Sequence, residues 1–159
     1  MLQYTPNDTL SRKHVGLLYK DIVKNYKDNY DIDLGDVQYS LSKVPRYNTG
    51  KLNRKFDRLL YGGCWTDKKR IFINPYLPAT VNHYTGKNVV SDDDISNVIA
   101  HELAHEIYRK RADNKLKRRI ANKVRQEKFT TDYLNSLSRD HRNYEEEAFC
   151  EYLANRLKR

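Results

Sequence analysis

Apolar side chains recur at three- and four-residue intervals early in the chain, at Val15, Leu18, Tyr19, Ile22, Val23 and Tyr26. This spacing predicts an amphipathic helix over residues 12–30, ended by Asp31, Ile32, Asp33, Leu34 and Gly35. The pattern then changes to alternation. Over residues 37–44, Val37, Tyr39, Leu41 and then Lys43 share one side of a predicted strand. Residues 45–57 are polar and rich in Asn, Lys and Arg, and read as a loop over a cleft. Strands are expected at 59–65 and 70–75, joined by the polar turn Thr66, Asp67, Lys68, Lys69. Residues 77–88 read as a second polar loop, with His83 at the surface and Tyr84 beside it.

Helical periodicity returns after that loop. Ser91 followed by Asp92, Asp93 and Asp94 has the form of an N-cap with acids in the first turn, and Ile95, Val98, Ile99 and Leu103 continue as an apolar stripe. Leu116, Ile120 and Val124 give the basic stretch 109–125 a narrow apolar stripe, and residues 144–157 form a last amphipathic segment. Helices and a few short strands in this order predict an α+β fold: a small antiparallel or mixed sheet packed on the 92–106 helix and on a C-terminal helix.

Composition narrows the class. The chain has 159 residues, which suits one domain covering 1–159 with one ordinary core. The amino terminus is polar and no run is apolar enough to span a bilayer, so a cytoplasmic protein with no membrane partner is expected. Cys64 and Cys150 are too few and too far apart for a disulfide framework and read as reduced, buried thiols. The formal net charge of +9 is concentrated in 109–125. That run is suited to nucleic acid or acidic substrates; equally, it reads as a solvated helix face paired with Asp113 and Glu127. The tyrosines are scattered and form no aromatic nucleic-acid motif.

The chemistry lies in His101-Glu102-Leu103-Ala104-His105. Residues four apart on a helix sit one above the other, so both imidazoles project from one face and can grip one cation. Glu102 follows the first ligand and can reach a water on the metal. Neutral imidazole is a good zinc donor, and catalytic zinc keeps three protein ligands so that water fills the fourth position. A carboxylate beside that water takes its proton as it attacks a carbonyl. The competing reading is a satisfied structural histidine pair.

A third ligand must come from elsewhere, because no histidine follows His105 before His141. The C-terminal segment supplies Glu145, Glu146 and Glu147, which point about a hundred degrees apart on a helix, so at most one or two can face a metal. A helix pressed against the histidines should carry small or polar residues in line with the ligand. From Glu147 that line reads Cys150, Glu151, Ala154, whereas from Glu145 it reads Ala148, Phe149, Tyr152. Glu147 is therefore the expected ligand, with Glu145 and His141 as alternatives, and Glu151 is placed to orient a histidine from behind. An acidic first turn favourable to its own helix dipole is the competing reading.

The histidine pair and the series Glu147, Cys150, Glu151, Leu153, Ala154 resemble the active-site helices of glutamate zincins, both thermolysin-like and ImmA/IrrE-like metallopeptidases. The usual residue at the fourth position is Asp or Asn, where this chain has Glu151. Residues 37–108, with a short strand ending Ile73-Asn74-Pro75, an acidic linker and the His-Glu-Leu-Ala-His helix, resemble SprT-like domains, which cleave proteins bound to DNA. That likeness stops at the third histidine, which this chain lacks. The resemblance implies a minimal zincin fold, Zn2+ held by His101, His105 and Glu147, Glu102 as general base, and an edge strand that binds an extended protein or peptide substrate. His141, Tyr144 and Tyr108 are the candidate donors to the oxyanion. The alternatives are a basic DNA-associated or regulatory protein with a structural zinc and no proteolysis, and a toxin-like or phage-encoded peptidase with one narrow target.

Overall fold

The structure is a computed structural model that describes residues 3–42, 61–137 and 143–157. A short strand β1 (Gln3–Tyr4) precedes α1 (Arg12–Tyr30). Ser11 caps α1 by accepting from the His14 backbone N–H at 3.3 Å, and Asp31, at φ 54°, ends it by returning its N–H to Lys27. The buried stripe is Val15, Tyr19, Ile22 and Tyr26, as the periodicity requires.

Three strands follow: β2 (Gln38–Leu41), β3 (Gly62–Trp65) and β4 (Arg70–Ile73), in the spatial order β2-β4-β3. β2 runs parallel to β4 and β3 antiparallel to it, so the small sheet is mixed. A 3₁₀ turn at Thr66–Lys68 and Lys69 in the left-handed region join β3 to β4 at the expected polar turn. The strands are shorter than the pattern suggested. The Lys43 end of the first, residues 59–60 of the second and the 45–57 loop lie outside the described residues.

Residues 77–88 were expected as a loop, but Leu77–Thr85 form a helix, α2. Leu77, Pro78, Thr80 and Val81 are buried on its inner side, Pro78 fits the first turn, and Gly86 at φ 73° ends it. One buried side of a two-turn helix leaves a mostly polar sequence, which hides the periodicity. His83 and Tyr84 fall on the exposed side.

β5 (Val90–Ser91) pairs with β1 and leads straight into α3 (Asp92–Glu106). Ser91 accepts from Asp94 N–H while the Asp94 carboxylate accepts from Ser91 N–H at 2.9 Å, a reciprocal cap. α3 packs against α1, β3, β4 and, most extensively, the C-terminal helix. Ile95, Ile99 and Leu103 join Ile71 and Ile73 of the sheet in the core. The Tyr26 hydroxyl donates to the Ala100 carbonyl at 2.7 Å, pinning α1 to α3. α3 then widens into a π turn at Ile107–Arg111, closed by Ala112 N–H bonding to Ile107 O. Three further helices follow among the described residues: α4 (Asn114–Gln126), α5 (Asp132–Ser136) and α6 (Tyr144–Arg156). Among the described residues no helix is long and apolar enough to cross a membrane.

Ser91→Ala removes one half of the reciprocal cap and should lower the unfolding free energy by about 1 kcal/mol in urea titration. Exposed Asp93→Asn should change it by only a few tenths.

Candidate metal centre

α3 presents His101 and His105 one turn apart, with ring centroids 5.0 Å from each other, on the side where α6 packs. Each imidazole meets a carboxylate at both nitrogens. His101 Nδ1 lies 2.9 Å from Glu151 Oε2, and its Nε2 lies 3.1 Å from Glu147 Oε2. His105 Nδ1 lies 2.9 Å from Glu146 Oε2, and its Nε2 lies 3.4 Å from Glu147 Oε1. A carboxylate only accepts, and in the tautomer with the proton on Nδ1 each ring donates to Glu151 or Glu146 and leaves Nε2 without one. Both Nε2 atoms then face the single carboxylate of Glu147.

That convergence calls for positive charge. Glu147 Oε2 is buried and makes no hydrogen bond despite its closeness to His101. Burial opposes a proton on His101, yet Glu147 and Glu151 outweigh it and raise the group to about 10. Burial likewise works against charge on Glu147, but the two histidines hold its carboxyl below the ordinary range. Among the described residues, His101, Glu102 and His105 form the group that could hold a metal ion, with a donor atom of each within 4.8 Å of the others. Glu147 brings a carboxylate to the same two Nε2 atoms from the opposite helix. A cation there, taking the place of the protons, would answer the buried Glu147 oxygen, so the donor set fits a metal ion.

Glu102, a member of that group, also packs against the sheet. It is buried against Gly62 of β3, where a Cβ would lie 3.1 Å from Glu102 Cγ, 3.3 Å from its Oε2 and 2.5 Å from the Phe72 carbonyl oxygen. Only glycine leaves room for strand, carboxylate and neighbouring backbone at once. Burial pushes the Glu102 carboxyl up, against the nearby histidines, which work to lower it. Glu106, one turn on, is buried too, with Arg111 3.6 Å away as its counter-ion.

The supports come from several elements. Arg109, in the π turn, donates from Nε to Glu146 Oε1 at 3.0 Å and from Nη2 to Oε2 at 2.8 Å. Burial opposes charge on Glu146, but His105 and Arg109 prevail and hold its carboxyl at about 2. Thr131 Oγ1 donates to Glu151 at 2.7 Å while accepting from the Leu134 backbone N–H, thereby capping α5. α5 carries Tyr133, whose ring meets that of His101 edge-on at 5.8 Å. Burial and the nearby Glu147 carboxylate raise the Tyr133 phenol, which stays neutral as a donor.

The other expected residues sort clearly. Glu145 is exposed at the start of α6 and does not join the cluster. Tyr108 is engaged between Phe149, at 5.1 Å between ring centroids, and the Lys117 ammonium, at 4.3 Å from its ring. Tyr144 is half-buried at the first position of α6, and His141 lies outside the described residues. Burial raises the Cys150 thiol well above its ordinary value and that of Cys64 to about 12, so both thiols are protonated. Glu146, Arg109, Thr131, Tyr133 and Gly62 were missed by sequence reasoning. Only Thr131 had a local signal, as an N-cap followed by Asp132, Tyr133 and Leu134.

No protein-family model, curated protein or solved structure matches the chain.

Gly62→Ala should lower the unfolding free energy by about 1–3 kcal/mol, because the methyl group must displace Glu102 or the β4 backbone. Urea titration checks this, and an unchanged midpoint would mean that β3 is free to shift outward.

Proposed function

We propose that this protein is a zinc-dependent metallopeptidase of minimal zincin type. The observation that carries the reading is the meeting of His101 Nε2, His105 Nε2 and the Glu147 carboxylate, with the buried base Glu102 between them and the sheet edge. In this reading His101, His105 and Glu147 hold Zn2+, which when bound supplies Lewis acidity to a carbonyl and makes a neighbouring water easier to deprotonate. Glu102 takes the proton of the attacking water and passes it to the leaving amine. Tyr133, with its neutral hydroxyl close to Glu147, donates to the oxygen of the attacked carbonyl, taking the place expected for Tyr108, Tyr144 or His141.

The substrate is an extended segment of protein. β3 is an edge of the sheet, and among the described residues it pairs only with β4. Its outer main chain, starting at Gly62 beside Glu102, offers donors and acceptors at strand spacing to a peptide laid alongside. Side-chain preference is then set by what flanks the strand, whereas the main chain supplies the register.

A second reading rests on α4. The acids expected to neutralise its cations are engaged elsewhere: Asp113 accepts from Leu116 N–H as the N-cap, and Glu127 accepts from Tyr152 and Arg156. Among the described residues no carboxylate forms an ion pair with Lys115, Arg118 or Arg119, all exposed on α4. This favours a surface for a polyanion such as nucleic acid, either beside the peptidase activity or in place of it.

Elemental mass spectrometry of purified protein should find near one zinc per chain, lost in His101→Ala, His105→Ala and Glu147→Ala and kept in Glu145→Ala. Absence of metal from wild type, even after zinc is supplied, overturns the peptidase reading. Against a library of unstructured peptides, Glu102→Gln should keep its zinc and lose at least about 100-fold in hydrolysis. Tyr133→Phe should lose activity with little change in KM; wild-type rates in either variant refute the assigned role. For the second reading, affinity for a DNA duplex in fluorescence anisotropy should fall with salt and weaken when Lys115, Arg118 and Arg119 are changed together to Gln. A salt-independent or unaltered signal excludes it.

A further inference from the structure

Two carboxylates stand behind the two histidines, and they are secured differently. Glu151, behind His101, is steadied by one neutral donor, the Thr131 hydroxyl at 2.7 Å. Glu146, behind His105, is gripped by a guanidinium fork, with Arg109 Nε 3.0 Å from one oxygen and Nη2 2.8 Å from the other. Arg109 lies in the π turn Ile107–Arg111, one turn past His105.

A neutral imidazole carries its proton on either nitrogen, and only the Nδ1–H form turns the Nε2 lone pair toward Glu147. A carboxylate on a flexible side chain selects that form only while it stays in place. A bidentate guanidinium fixes both oxygens in one plane, which a point charge or a lone hydroxyl cannot do. Fixing Glu146 also fixes the backbone next to Glu147, since the two are neighbours in the first turn of α6. We infer that Arg109, acting through Glu146, is the positioning residue that directs His105 Nε2 and the first turn of α6 toward the cation, and that metal capture depends on it more than on Thr131. This inference rests on the metal-site reading above, and concerns a residue that itself touches neither Nε2 nor Glu147 among the contacts described.

The test compares wild type with Arg109→Met, Arg109→Lys and Thr131→Val by two readouts. One is the downfield, slowly exchanging Hδ1 resonance of His105 in proton NMR, followed in both metal-free and zinc-loaded protein. The other is zinc affinity by competition with a chelator. In Arg109→Met the His105 Hδ1 signal should broaden or disappear, and zinc should bind about 10- to 100-fold more weakly. Arg109→Lys, which keeps the charge and loses the fork, should fall between Arg109→Met and wild type. Thr131→Val should alter the His101 signal, leave that of His105 in place and weaken zinc less. A folded Arg109→Met with its His105 signal intact and zinc affinity within about twofold of wild type overturns the inference. So does failure of both Arg109 variants to fold, which would make the pair a fold-holding contact. If wild type takes up no zinc, the metal-site reading fails, while the Hδ1 signals of the metal-free proteins still decide the role of Arg109.

Discussion

Charge neutralisation across the α3–α6 interface is the constraint to which the rest of the molecule answers. Four carboxylates, Glu102, Glu146, Glu147 and Glu151, meet two imidazoles and one guanidinium where two helices pack. Buried anions in such number are costly unless each finds a proton, a cation or a donor. Three of the four are answered by histidine contacts from α3, and the fourth is pressed against the sheet. The anions outnumber the permanent cation, so the interface favours a further positive charge. A metal ion held by this group would supply it in place of the histidine protons.

The surrounding fold keeps these groups still. Small residues on α6 in line with Glu147, namely Cys150 and Ala154, are buried and allow close approach to the histidine helix. On the other side, Tyr26 holds the Ala100 carbonyl, and His14 Nε2 meets Asp92 Oδ1 at 2.6 Å at the start of α3. Ile71 and Ile73 of the sheet support the apolar stripe of α3. Side chains borne on packed helices are held more precisely than side chains borne on loops. Gly62 shows how tight the fit is, because the Glu102 carboxylate occupies the space a side chain would take.

Much of this was legible in the chain. The first helix was expected at 12–30 and is found there, because its apolar stripe and caps are local features. The same holds for the Ser91 cap, the histidine helix and the direction in which Glu147 points, since helical geometry fixes which residues share a face. The small-residue line Cys150, Glu151, Ala154 placed both Glu147 and the carboxylate behind His101 before any packing was known. α2 was misread because its buried side is short and partly polar. The expected pairing of the basic run with Asp113 and Glu127 also failed, because those acids take partners from a helix terminus and from α6.

The sequence by itself thus determined which helix carries the histidines and where that helix begins, and it favoured Glu147 over Glu145 and His141 as their partner. These follow from spacing, capping and burial within single segments. Only the tertiary structure decided that Glu146 lies behind His105, that Arg109 and Thr131 secure the two carboxylates, that Tyr133 stands beside His101, and that glycine is required at 62. Each of these depends on contacts between segments far apart in the chain. The angle at which α6 crosses α3, and the distance at which β3 passes Glu102, arise from packing the whole core and leave no periodic trace in any one segment.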